Sequence, residues 1–325
     1  MKNIKGKNVM VTGGAGFIGS HLVKRLINEG AHVSIAVKYK SVFDCIRLVS
    51  IWDKVNVIEV DLRNIDSLSQ FRNKKYDLLF HLAAYNHVGD SFIHYQEALV
   101  SNLLGTANLL ENGPDFDRFI YTATSEVYGY QESVPFKEGN IPFPISPYAI
   151  GKYAGELYAR MKAFQSQKNN IVCIRPFNTF GPFQSERAII PELIMKCLNG
   201  IKIETTEGKQ TREFNYVDNI VDGFLLAATI DEVYDEPINI GAGEEIAIID
   251  LIHKIHDLCE SESDLKIGAL AYRPTEIWRM KADNQNALKY LKWNPNVSFN
   301  DGLISTVNWF RKFYDVYFKG ELRSL

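Results

Sequence analysis

Tyr148 and Lys152 stand four residues apart in the run Tyr148-Ala149-Ile150-Gly151-Lys152. On a helix that spacing puts both side chains on one face. An ammonium beside a phenol stabilises the phenolate, lowers the tyrosine pKa and makes the side chain usable as a base toward a hydroxyl group. Upstream, Thr124-Ser125-Glu126 sets two hydroxyls and a carboxylate just beyond the apolar run 119–122. A serine hydroxyl is a poor acid near neutral pH and suits orientation or relay. Near the start, residues 12–19 read TGGAGFIG. Gly13 permits a tight turn, Gly16 lets backbone approach a ligand, and Gly19 lets the following helix pack closely. The N–H groups and dipole at that helix N-terminus, where Phe17 and Ile18 stand, favour a pyrophosphate. The expected ligand is a dinucleotide.

These residues need elements to hold them. Apolar runs at 9–11, 32–37, 55–60, 77–82, 119–122 and 171–175 alternate with helical patterns at 16–29, 65–71, 92–111 and 148–163. Such alternation predicts a Rossmann-type α/β fold, a doubly wound parallel sheet with helices on both faces. Ligands of such sheets bind at the carboxyl ends of strands, where the motifs fall. After Pro176 the elements shorten. The expected division is a dinucleotide-binding domain over 1–176 with returning segments near 212–241, and a smaller C-terminal α/β substrate-binding lobe over 177–211 and 242–325.

The 325 residues are 46% hydrophobic and 23% charged with net charge −3, which suits a globular chain and argues against nucleic acid or an anionic membrane as partner. Cys45, Cys173, Cys197 and Cys259 form no CxxC pair, so reduced thiols are expected and no metal site. No leader and no apolar span of membrane length is read, and a cytoplasmic location is expected.

The chain resembles the extended short-chain dehydrogenase/reductase family, in its nucleotide-sugar branch. The resemblance rests on TGGAGFIG (12–19), HLAA (81–84), TATSEVYG (122–129), YAIGK (148–152), RPFNTFGP (175–182), TREFNYVD (211–218) and RPTEIWR (273–279). It implies a nucleotide-diphosphate hexose as substrate. Tyr148 would take the proton of the sugar 4-hydroxyl, Thr124 would bond the reacting oxygen, and Lys152 would hold the nicotinamide ribose. It further implies Asp61, Leu62, Ala83 and Ala84 at the cofactor, His87 at the substrate, and Asn178, Arg212 and Arg273 at the diphosphate. For Arg187 and Arg279 an ion-pair role stands beside ligand binding.

Glu126 selects among reactions. Nucleotide-sugar 4,6-dehydratases carry an acid at this third position, which removes the C5 proton after C4 is oxidised. Many have Thr-Asp-Glu; Ser125 departs from that pattern. GDP-mannose 4,6-dehydratases, some N-acetylhexosamine dehydratases and UDP-glucuronate decarboxylases resemble the Thr-Ser-Glu form. The reading is therefore a 4,6-dehydratase, with a 4-epimerase or a decarboxylase as alternatives and a non-catalytic NADP-sensing regulator as a different class. The second strand ends at Val37 with Lys38 and Lys40 following. The absence of a carboxylate there and the two cations favour the 2′-phosphate of NADP over NAD. Leu99, Leu103, Leu104, Leu109 and Leu157 widen the apolar faces of two long helices, which predicts a homodimer or dimer of dimers.

Overall fold

In the computed structural model, residues 4–38, 41–166, 170–230, 236–272 and 276–318 are described. Val9, Met10 and Val11 are wholly buried. An apolar run without polar alternation marks a strand covered on both faces, and it forms β1 (Asn8–Thr12). Around it lie β2 (His32–Val37), β3 (Val55–Glu59), β4 (Lys75–His81), β5 (Asp115–Thr122), β6 (Ile171–Pro176) and β7 (Ile238–Ile240). Every pairing is parallel, in the order β7-β6-β5-β4-β1-β2-β3. The winding reverses between β1 and β4, which opens a crevice at their carboxyl ends.

The pleat sorts β1 between two cores. Val9 and Val11 face one shared with Leu22, Val172, Ile220 and Phe224; Met10 faces another with Leu79, Phe119, Leu109 and Ala159. The first is covered by α1 (Phe17–Asn28) and the second by α2 (Tyr95–Leu99), a π-helical stretch (Val100–Leu104), α3 (Gly105–Asn112) and α4 (Pro147–Ser166). The smaller lobe packs α5 (Ile189–Leu198), α7 (Ile248–Leu258) and α8 (Phe299–Phe318) around Ile194, Leu251, Val307 and Phe310. Between them in sequence, α6 (Val217–Thr229) lies on the sheet. Burying Ile220, Phe224 and Leu225 in the core they share with Val9 and Val11 contributes about 1.5–3 kcal/mol each.

Two local expectations change. The helix expected over 92–111 begins at Tyr95 and is interrupted by the π stretch. There the buried Asn102 turns to the 83–85 loop, accepting from Tyr85 N at 2.8 Å and donating to its carbonyl at 3.0 Å. A π-bulge at a ligand-facing helix re-aims side chains in this way. Second, Ala287, Leu291 and Trp293, expected in the lobe, pack in the first core, with Trp293 Nε1 donating to Asn219 O at 2.8 Å. Cys173, Cys197 and Cys259 are free and buried. Among the described residues, no helix is long and apolar enough to cross a membrane.

Candidate active site

The glycine turn leads from β1 into α1. Gly13 has φ 70, and a Cβ there would sit 2.7 Å from Ala83 N. A Cβ on Gly19 would strike the Gly13 carbonyl, and one on Gly16 would approach it to 3.1 Å. The turn therefore presents bare backbone, which fits a pyrophosphate. Beside it opens a cavity of about 460 Å³ whose wall includes Gly13, Gly16, Val37, Lys38, Asp61, Leu62, Ala83 and Ala84. Phe17 and Ile18 stand at the start of α1 and pack against the lobe core. The end of β4, next to the lining residues Leu82 and Ala83, is held by His81. Its ring bridges Thr12 Oγ1 at 2.7 Å and Thr106 Oγ1 at 3.0 Å, and burial pushes its pKa down to about 3, which keeps it neutral.

The cationic rim differs from the expected pair. Lys38 lines the cavity, while Lys40 lies outside the described residues. Arg47 and Arg63 also line it, and neither stood out in the sequence. Arg63 binds Asp61 at 2.6 Å and shares Glu97 with Lys38; that pairing holds the Asp61 carboxyl below its usual range. Arg47 Nε donates to the Phe183 carbonyl at 3.0 Å, from a loop residue at φ 67.

Helix α4 starts with Ser146, whose Oγ accepts from Ala149 N at 3.1 Å, followed by Pro147 at the first helical position. A serine cap and a proline there are a favoured helix start. Tyr148 N also donates to Ser91 Oγ at 3.2 Å. The first turn of the helix is thus fixed beside the end of β5, and Tyr148 and Thr124 share a hydrogen bond. Lys152, one turn on, is 3% exposed, with Nζ 4.7 Å from the Tyr121 ring centre.

Here the structure corrects the expected electrostatics. Burial pushes the Tyr148 phenol up to about 12; the Thr124 bond lowers it and the Glu126 carboxylate raises it further. Burial also draws Lys152 down to about 7, against the pull of Glu156. Desolvation sets the direction of the Tyr148 shift, against the bond from Thr124. Sequence spacing carries no information on that burial.

Thr124 caps the short turn Ser125–Tyr128, its Oγ1 accepting from Glu126 N at 3.2 Å. Burial raises the Glu126 carboxyl above its ordinary value, opposed by the charge of Arg212. Among the described residues it has no ion pair. Ser125 is buried, its hydroxyl against Met280 Sδ at 4.0 Å. Asn178 meets the same sulfur at 3.7 Å and donates to Glu213 O at 3.2 Å. Arg212 is tied to Glu276 at 2.6 Å and to the Ile277 carbonyl. His87 and Arg187 converge on Asp90. His87 Nδ1 accepts from Asp90 N at 2.9 Å as a helix cap, and Arg187 binds the Asp90 carboxylate at 2.8 Å. Arg279 pairs with Glu245, and Arg273 lies outside the described residues. Among the described residues, no group of three or more His, Cys, Asp or Glu could hold a metal ion.

A family model described as GDP-mannose 4,6 dehydratase matches residues 10–306. A dTDP-D-glucose 4,6-dehydratase from Homo sapiens is 29% identical over 94% of this chain and 90% of its own length. A UDP-N-acetyl-alpha-D-glucosaminuronate decarboxylase from Bacillus cytotoxicus is 32% identical over 94% of this chain and 98% of its own. The crystal structure of a UDP-glucuronic acid 4-epimerase from Bacillus cereus, with UDP-glucuronic acid and NAD, superposes at TM-score 0.85 with 29% identity, over 94% of this chain and all of that one.

Proposed function

The chain belongs to the GDP-mannose 4,6-dehydratase family of extended short-chain dehydrogenase/reductase enzymes, and we propose that within it the protein is a nucleotide-sugar 4,6-dehydratase. The family as a whole modifies nucleotide sugars with a nicotinamide dinucleotide, and relatives named as dehydratase, decarboxylase and epimerase surround this chain. The observation that carries the narrower reading is Glu126. Its side chain is half-buried and close enough to Tyr148 to act on that phenol, its carboxyl is held above the ordinary range by desolvation, and among the described residues it is in no ion pair. A carboxylate kept for structure would be expected in such a pair. A carboxylate not committed to an ion pair can both take and give a proton.

A bound nicotinamide dinucleotide would accept the C4 hydride and return it at C6. Tyr148 must be ionised to take the proton of the 4-hydroxyl, so the phenol that burial holds at about 12 needs the positive charge that a bound oxidised nicotinamide would bring; Thr124 bonds the same oxygen, and Lys152 holds the cofactor ribose. With C4 a carbonyl, the C5 proton is acidic. Glu126 removes it and passes it to the C6 hydroxyl, which leaves as water. C5 then regains a proton drawn from solvent, and the product is a 4-keto-6-deoxy sugar with the cofactor's redox state unchanged. Asn178, Arg212 and Arg273 are proposed for the diphosphate. His87 and Arg187 are proposed for the rim of the sugar site, where Asp90 joins them.

For the cofactor we favour NADP, because Lys38, Arg47 and Arg63 edge the cavity and no acid ends β2. For assembly we favour a homodimer or dimer of dimers. Leu104, Ile150, Leu157 and Met161 are 40–49% exposed on the paired helices α2–α4, Leu99 and Leu103 are half-buried, and Leu109 belongs to the core. Decarboxylation is the second reading, favoured by the 32% identical relative. The test is incubation with a panel of nucleotide hexoses and hexuronates followed by mass spectrometry. Loss of one water supports the dehydratase, loss of carbon dioxide the decarboxylase, and an unchanged mass with inverted C4 the epimerase.

A further inference from the structure

Beneath the proposed site runs a buried polar chain that the chemistry above does not use. Arg175, on β6, lays its guanidinium fork on the Glu156 carboxylate, Nε to Oε2 at 2.9 Å and Nη2 to Oε1 at 2.6 Å. Its third arm, Nη1, donates to the Tyr128 hydroxyl at 2.9 Å. That hydroxyl donates onward to Asn239 Oδ1, on β7, at 2.7 Å. Asn239 Nδ2 closes the chain on the Phe136 carbonyl at 2.9 Å. Glu156, Tyr128 and Asn239 show no exposure, and Arg175 shows 1%.

The placement of these four residues points to their task. Glu156 lies one helical turn beyond Lys152, on the same face of α4. Tyr128 lies two residues beyond Glu126 and ends the one-turn segment that carries it. Arg175 stands in the strand that leads to Asn178. A planar guanidinium bonded on three edges fixes its partners in angle as well as distance. A buried ion pair is poor value as a stabiliser, since apolar residues of like volume hold a core as well. Its gain is geometric definition.

We infer that Tyr128, Arg175 and Glu156 form a positioning device for the elimination half of the reaction, locking the turn that carries Glu126 onto the helix that carries Tyr148 and Lys152. The inference rests on Glu126 being the C5 base. Tyr148 and Lys152 share one helix and need no such link to face each other. Glu126 reaches them from a separate turn, so its aim depends on what joins turn to helix. Misplacement of a reacting group by about 1 Å costs up to ~10²-fold in rate.

The test uses Tyr128→Phe, which removes the shared hydroxyl and keeps the ring, and Asn239→Ala, which releases that hydroxyl from its far side. Both are compared with the native protein and Glu126→Gln in single turnovers, on the nucleotide hexose the native protein converts. Two readouts are followed: appearance of reduced nicotinamide and release of dehydrated sugar. In Tyr128→Phe, hydride transfer should stay within about twofold of native while product release slows by roughly tenfold or more, so reduced nicotinamide accumulates. Asn239→Ala should shift the same ratio in the same direction, and it answers the question if Tyr128→Phe does not fold. A purely structural role would slow both steps together or neither, and either outcome overturns the inference. If Glu126→Gln stalls after hydride transfer while both other variants partition like the native protein, positioning fails and the dehydratase reading stands. If Glu126→Gln does not stall, the reading fails and the positioning role falls with it.

Discussion

Replacing Lys152 with methionine should abolish turnover and make the protein more stable at neutral pH. Lys152 is 3% exposed. Burial holds its ammonium down to about 7 from an ordinary 10.5, and at 1.36 kcal/mol per unit that gap is about 5 kcal/mol. Below pH 7 the lysine is charged in the folded and unfolded chains alike, and the whole cost of burying charge is present. Above pH 10.5 both forms are neutral and the cost is gone. Between these limits the unfolded chain binds more protons than the folded one, so stability rises with pH. From pH 7 to pH 9 the rise from this one group is about 2 kcal/mol. Methionine matches the length of the stem and carries no charge, so the variant should gain several kcal/mol at pH 7 and lose this part of the pH dependence. The Cys173 thiol and the Tyr121 and Tyr148 phenols, all pushed up by burial, act in the opposite sense at higher pH; Lys152 pulls the thiol down, so its part of the pH dependence grows in the variant. Urea unfolding at the two pH values, native against variant, reads the difference directly. A variant no more stable than native at pH 7, or one that keeps the native rise, would refute the reasoning.

Arg47→Ala should weaken NADP binding by roughly 10–150-fold, the worth of a charged hydrogen bond of about 1.5–3 kcal/mol, and leave NAD almost unchanged; calorimetry with both cofactors checks it, and an equal loss for the two contradicts it. Gly19→Ala drives a methyl group into the Gly13 carbonyl, so it should abolish cofactor binding and lower stability by about 1–3 kcal/mol, measured by thermal unfolding with and without cofactor. Light scattering at micromolar concentration should give at least a dimer mass, and Leu157→Asp with Met161→Asp should give a monomer. A native monomer would contradict the assembly drawn from the exposed faces of α2–α4.

Much of the sheet was legible because its signals are local. Continuous apolar runs mark doubly covered strands, and Gly16 and Gly19 answer to the Gly13 carbonyl a few residues away, whereas the approach of Gly13 to Ala83 is long-range. Tyr148 and Lys152 were legible because a helix turns spacing into proximity. What stayed hidden depends on tertiary approach. Arg47 reaches the cavity wall beside a loop residue 136 positions away in sequence. Arg175 and Glu156 meet across strand and helix, 19 residues apart, with no periodicity to announce them. The π stretch coincides with Asn102 meeting Tyr85 of the 83–85 loop, and nothing in the helix's own sequence distinguishes it. His87 and Arg187 drew notice as possible ligand residues, yet their meeting through Asp90 needs two distant loops. The direction of the Tyr148 shift was missed for the same reason, since burial is set by neighbours far along the chain.

The most direct test of the central claim is Glu126→Gln, which keeps size and hydrogen bonding and removes the base. The account predicts that C4 oxidation survives, reduced nicotinamide builds up in its near-ultraviolet band, and dehydrated product falls by about 10²–10⁴-fold. Solvent deuterium should enter C5 with the native protein and not with the variant. Turnover by Glu126→Gln at the native rate, with no water lost from any nucleotide hexose, would contradict the elimination mechanism and leave epimerisation by Tyr148 and Lys152 in its place.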